Sequence, residues 1–260
     1  MTAGTRRLPP GRYRFRHVAR MEWVKLASLR STWATLGITI AAATGIAALA
    51  AAGTKTPSAD LTNSMMTGMF AGVLLAGVLG VLTVTSEYTS GTIRATLAAS
   101  PRRPLVLAAK AAVFGIVTLI TGQAAAFLAF FAGRAALGHG IAAPALGQPG
   151  VLRTIAASGA SLALIGLLGL GLGAIIRHTA AAVTVLAGVV YAGELFIGQL
   201  DRTIDASLPA YIVGDTLGGR TCGPGAVGCP LPAWAGMSVL AAYAAAALLI
   251  GGCILTWRDA

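Results

Sequence analysis

The chain has 260 residues, of which 56% are hydrophobic and only 10% charged, and its net charge is +11. Soluble globular domains carry roughly 25% charged residues, and the mean hydropathy here is +0.79. That composition excludes an ordinary soluble fold and points to a chain built for lipid.

A membrane-crossing helix needs about 20 mostly apolar residues. Six runs meet that requirement: Trp33–Gly53, Ser64–Ser86, Leu105–Ala132, Leu152–Ile176, Thr179–Leu200 and Pro232–Trp257. The predicted fold is therefore an all-α membrane protein with six transmembrane helices. Residues 33–257 form one membrane domain, preceded by a tail and an interfacial helix over 1–32 and followed by a short end, 258–260. The third and fourth runs exceed a straight crossing, which predicts tilt. The first run starts late and has full span length, unlike the short core of a secretory signal, so an uncleaved first span is expected.

Charge sets the orientation. With the N-terminus inside, the inward segments hold fourteen basic and three acidic residues, and the outward segments hold five of each. The whole net charge lies on one side, as the positive-inside rule demands. Both termini are expected in the cytoplasm, and the basic balance reports topology and attraction to anionic lipid rather than nucleic-acid binding.

Residues 1–11 are polar, and a helix is predicted from Arg12 to Arg30. At 100° per residue Phe15, Val18, Leu26 and Leu29 share one stripe flanked by basic side chains, the pattern of a helix lying in the headgroup layer. Glu22 interrupts that stripe. It is expected either to pair with Lys25 or Arg30 at helical spacing, or to contact a partner or the loop after the second span.

That loop, residues 87–104, is the main polar interruption. Glu87 ends the second span, and Ser90, Gly91 and Thr92 offer turn and N-cap chemistry. A short helix is predicted from Thr92 to Ala99, stopped by Pro101, and Pro104 suits the first turn of the next helix. Arg94, Arg102, Arg103 and Lys110 make this stretch basic.

Glycines four apart, Gly68 with Gly72 and Gly169 with Gly173, predict close helix packing, with Gly166 and Gly171 beside the second pair. Gln123, mid-span, is expected to bond a neighbouring helix or else to line a pathway. Arg134 reads as a snorkelling boundary residue. Glu194 is either an intramembrane pathway acid or a group at the outer surface. In the external loop 201–231, Cys222 and Cys229 face an oxidising side and are expected to form a disulfide. Cys253 reads as a buried apolar filler. No metal site is expected.

The chain contains no Gly-x-x-x-x-Gly-Lys-Ser/Thr loop, no His-Glu-x-x-His pair and no Gly-x-Ser-x-Gly elbow, so neither an ATPase nor a catalytic site of those types is written in it. If ATP drives this protein, another chain must bind it.

Glu87, Gly91-Thr92, Pro101, Arg103 and Lys110, in the gap between the second and third runs, resemble the corresponding loop of ABC-2 type transporter permeases. The resemblance implies that the Thr92–Ala99 helix is a coupling helix docking on a separate cytosolic ATPase subunit. It also implies two such ATPases carrying ATP and magnesium, a second permease subunit (alike or merely similar), and residence in a bacterial plasma membrane. The expected role is export by alternating access. The alternatives are a secondary transporter or channel, which should carry a mid-membrane charge constellation, and a membrane assembly factor that transports nothing.

Overall fold

The structure, a computed structural model, describes residues 15–54, 61–93, 96, 103–138, 141–192 and 233–257. These are 88% helical and contain no strand. Among the described residues, five helices are long and apolar enough to cross a membrane, the architecture of a multi-pass membrane protein.

Helix α1 runs from Phe15 to Ser28 and α2 from Arg30 to Ala52. The predicted Arg12–Arg30 helix therefore ends early, because Leu29 is extended (φ −83°, ψ 108°). Ser28 Oγ donates to Lys25 O at 2.9 Å, a local bond that competes with helix continuation. Across the break, Trp33 Nε1 donates to Ala27 O at 3.0 Å and satisfies one of the carbonyls that the end of α1 leaves open. Arg30 thus opens α2 instead of closing α1. Within the expected stripe, Val18 and Leu26 are buried together with Glu22, whereas Phe15 and Leu29 are exposed.

Next come α3 (Leu61–Met66) and α4 (Met69–Thr89), with a turn at Thr67 and Gly68. A side chain at Gly68 would strike the Ala43 carbonyl, so glycine lets α2 approach at this bend. Helix α5 (Arg103–Ala136) is continuous over 34 residues, about 51 Å at 1.5 Å per residue. That exceeds a hydrocarbon core of about 30 Å, so α5 tilts or projects beyond it. Helix α6 spans Val151–Ile176 and α7 Thr179–Ala187, the latter passing into a π turn, Gly188–Ala192. Only this first part of the predicted Thr179–Leu200 run lies within the described residues. Helix α8 covers Ala233–Trp257.

Helices α4 and α6 occupy the centre, with 61% and 67% of their most apolar segments buried against 28% for α2 and α8. Their contact is backbone on backbone. A Cβ at Gly80 would meet the Gly166 carbonyl, and one at Gly169 would meet the Gly77 carbonyl. The predicted role of Gly166 and Gly169 in packing holds, while their partners Gly77 and Gly80 are glycines that spacing did not single out. Similar contact joins α5 to α6, where Gly122 faces the Gly159 carbonyl and Gln123 Nε2 donates to Ala156 O at 2.9 Å. Gln123 is thus interhelical glue. Arg134 donates to Pro144 O at 2.8 Å and lies over the Phe130 ring. Cys253 is exposed, which corrects its reading as a buried filler.

Candidate functional site

One end of the bundle gathers four charged side chains from three helices. Glu22 and Lys25 come from α1, Glu87 from the last turn of α4, and Lys110 from the second turn of α5. Lys25 Nζ lies 2.9 Å from Glu22 Oε1 and 3.0 Å from Glu87 Oε1. Lys110 Nζ lies 2.5 Å from Glu22 Oε2 and 2.9 Å from Glu87 Oε1. Each lysine thus bridges both carboxylates, and the set is electrically neutral.

Burial makes this arrangement necessary. The Glu22 side chain is 3% exposed and that of Lys110 9%; a charge so enclosed is costly unless it is paired. Glu22 sits in the apolar stripe of α1 because Lys110 meets it there. Of the readings offered for Glu22, the pair with Lys25 within its helix is present, and its other partner, Lys110, lies beyond the polar loop.

The loop joins the cluster through Thr96. Its Oγ1 accepts from Lys25 Nζ at 3.1 Å and donates to Thr92 O at 3.1 Å. Residues 92, 93 and 96 are helical, and Ile93 and Thr96 are buried. Gly91 takes φ +70°, a left-handed turn that glycine reaches without a Cβ penalty. Ser90 does not cap the following helix. Its Oγ donates to Ser86 O at 2.7 Å, closing the end of α4, and lies 2.9 Å from the Thr92 hydroxyl.

Lys25 titrates above its ordinary value. Burial opposes the ammonium, but the hydrogen bonds and negative charges of Glu22 and then Glu87 outweigh that penalty.

A second set of contacts lies on the other flank of α4. The Arg177 guanidinium sits 5.2 Å from the centre of the Tyr88 ring and donates to Ile254 O at 3.4 Å. Arg103 Nη1 donates to Leu255 O at 3.1 Å. Two arginines therefore hold the last carbonyls of α8, where unsatisfied C=O groups and the negative end of the helix dipole favour cations. Arg177 reaches this place from a left-handed residue (φ 58°) that closes α6. His178 then starts α7, its Nδ1 accepting from the Ala181 N–H.

Of the predicted site residues, Glu22, Lys25, Glu87 and Lys110 come together, with Gly91 and Thr92 adjacent. Arg103 donates to the end of α8. Arg30 is exposed at the start of α2, and Gln123 lies on the α5–α6 seam. Arg94, Pro101, Glu194, Cys222 and Cys229 lie outside the described residues. Thr96, Tyr88 and Arg177 are participants that sequence reasoning missed. Arg177 alone carried a signal, as a lone cation in a tight turn.

Chemically, the cluster pairs two carboxylates with two lysine amines. Its capacity is mechanical: it fixes α1, the end of α4, the loop and α5 to one another. No protein-family model matches the chain, and a search of curated proteins returned no match.

Proposed function

We propose that this chain is the transmembrane subunit of an ATP-driven exporter of the ABC-2 permease type. In this reading it crosses a bacterial plasma membrane six times with both termini inside. It pairs with a second permease subunit, and two cytosolic ATPase subunits bind ATP and magnesium. The segment Thr92–Ala99 is the coupling helix, with Gly91 as its hinge and Arg94 and Pro101 as parts of its docking surface. ATP-driven closure of the ATPases displaces this segment, and access to the two sides of the membrane alternates. The scarcity of polar groups in the spans suits an apolar or amphipathic cargo.

The single observation supporting this most is the ion cluster at the foot of the polar loop. A push on the loop reaches Lys25 through Thr96, and Lys25 is tied to Glu22 and Glu87, which share Lys110. Displacement of the loop therefore moves three helices as one body, which is what a transmission element has to do.

Affinity purification from native membranes tests the proposal. The expected result is a co-isolating Walker-type ATPase whose hydrolysis rises when this chain is present. A chain that isolates without such a partner, and moves an ion down its gradient when reconstituted alone, overturns it.

A further inference from the structure

Beside the ion cluster lies a half-open cavity of about 390 Å³, bounded by the end of α1, the start of α2, the last turns of α4 and the early part of α5. Its size falls in the roughly 300–1,000 Å³ range of small-molecule sites. What distinguishes it is its hydrogen-bond inventory. Ser28 Oγ donates to Lys25 O, Thr83 Oγ1 to Gly80 O and Ser90 Oγ to Ser86 O. A hydroxyl has one proton and two lone pairs, so these three side chains have only acceptor capacity left. With the Ser90 proton engaged, the Thr92 proton serves the Ser90 oxygen.

The charged wall is equally short of donors. All three Lys25 protons have partners, in Glu22, Glu87 and Thr96, and Lys110 directs two of its own to Glu22 and Glu87. Glu87 lines the cavity, and its buried Oε2 has no hydrogen-bond partner among the described residues. A buried carboxylate oxygen without a donor is costly, and meeting one in the cavity takes a turn about the terminal torsion of a group whose Oε1 already holds Lys25 and Lys110. Among the described lining residues, the donors that remain are the third Nζ–H of Lys110 and the hydroxyls of Thr32 and Ser86, whose protons can point either way. The described lining is therefore richer in free acceptors than in free donors, which disfavours a phosphate or carboxylate and suits a group carrying several N–H bonds.

We infer that this cavity binds a primary ammonium, and that its source is an ethanolamine phospholipid of the adjoining leaflet. Leu26, Leu29 and Val113 supply an apolar wall. Nearby, Leu29, Trp33 and Trp23 are large and exposed, and tryptophans of this kind favour the headgroup level of a bilayer. The ammonium enters among the acceptors while the acyl chains stay in lipid along the apolar side. The inference rests on the cavity lining and the exposed Trp23, Leu29 and Trp33, and is independent of whether an ATPase drives the protein.

Native mass spectrometry of the purified, delipidated full chain tests it. Dioleoyl phosphatidylethanolamine is compared with the matching phosphatidylcholine, whose trimethylated nitrogen has no N–H, with phosphatidylglycerol, and with soluble ethanolamine and spermidine. One ethanolamine lipid should be retained about tenfold more tightly than the choline lipid, the difference expected for hydrogen bonds to a charged group. Ser86→Phe, which fills the cavity from its wall, should abolish that preference, and the near-isosteric Thr83→Val should weaken it while leaving thermal stability in lipid-free detergent unchanged. Equal retention of the choline lipid, a preference for phosphatidylglycerol, or undiminished retention by both variants overturns the inference. Stronger binding of spermidine than of the lipid would keep the ammonium site but overturn its lipid source.

Discussion

Glu87 and Tyr88 are neighbours in sequence that grip different sets of helices. The Glu87 carboxylate takes Lys25 of α1 and Lys110 of α5, while the Tyr88 ring lies against Arg177, which closes α6 and reaches the end of α8. Successive residues on a helix point about 100° apart, so one turn of α4 can serve two flanks. The end of α4 is where contacts from α1, α5, α6 and α8 meet at this face.

The first prediction concerns the buried pairs. Lys110→Met leaves Glu22 buried with only Lys25, and breaking such a pair costs about 3–5 kcal/mol. A large fall in thermal stability and in the yield of monodisperse protein is expected. Glu22→Gln combined with Lys110→Met should recover a substantial part of that loss, because it removes both charges together. If the double variant is as unstable as the sum of the two single ones, the pair is not coupled.

Arg103 and Arg177 lead to a local prediction. Each donates to a carbonyl at the end of α8, and a hydrogen bond involving a charged group contributes about 1.5–3 kcal/mol. Replacing both with Ala should raise amide hydrogen exchange over residues 250–257 by about tenfold or more, with the α4–α6 contact left protected. Uniform protection across α8 in the variant would show that its end is held by packing alone. Reversing the charge of Arg103 also disrupts this contact, so Arg94 and the Gly91-Thr92 pair are the cleaner sites for an uncoupling test of export. Under the proposed function, charge reversal at Arg94, or deletion of Gly91-Thr92, is expected to abolish ATP-driven export with membrane insertion intact; normal transport by both would sink the proposed coupling role.

The legible parts of this molecule are those that depend on local pattern. Apolar runs announce helices of spanning length, since each must satisfy its backbone within itself in lipid. The Glu22–Lys25 pair follows from helical spacing. The Glu22–Lys110 pair does not, because it forms only when α1 lies across the start of α5, and nothing local specifies that crossing. The same applies to Gly77 and Gly80. They lie three apart, off the four-residue spacing that drew attention elsewhere, yet Gly80 faces the Gly166 carbonyl and the Gly77 carbonyl faces Gly169, approaches as close as that of Gly68 to Ala43. The break at Leu29 was hidden for another reason. Leucine is a good helix former, and the interruption is completed by Ser28 and by Trp33 bonding back to Ala27.

Lys25 predicts a pH dependence. Its pKa in the folded chain is raised above 10.5, so the stabilisation it brings is fully present below the unfolded value and is lost as pH rises through the folded one. The stability difference between the native chain and Lys25→Met should be flat from about pH 6 to 9 and shrink only above about pH 10.5. A difference that fades near neutrality would mean that Lys25 is not held by the two carboxylates.

The glycines allow the sharpest separation of packing from propensity. Gly37 and Gly45 of α2 have open space where a Cβ would sit, whereas a Cβ at Gly80 or Gly169 would collide with a carbonyl of the facing helix. Gly→Ala at an unobstructed helix position is favourable by roughly 0.5–1 kcal/mol, because alanine loses less backbone freedom. At Gly80 or Gly169 the same change must push α4 and α6 apart, and those two helices form the centre. Thermal unfolding of the four single Ala variants should therefore divide them cleanly. Gly37→Ala and Gly45→Ala should unfold at or above the native temperature, and Gly80→Ala and Gly169→Ala well below it. If all four behaved alike, the α4–α6 crossing would not depend on bare backbone contact. If Gly37→Ala or Gly45→Ala proved harmful, that face of α2 would have to be packed against another helix in the membrane.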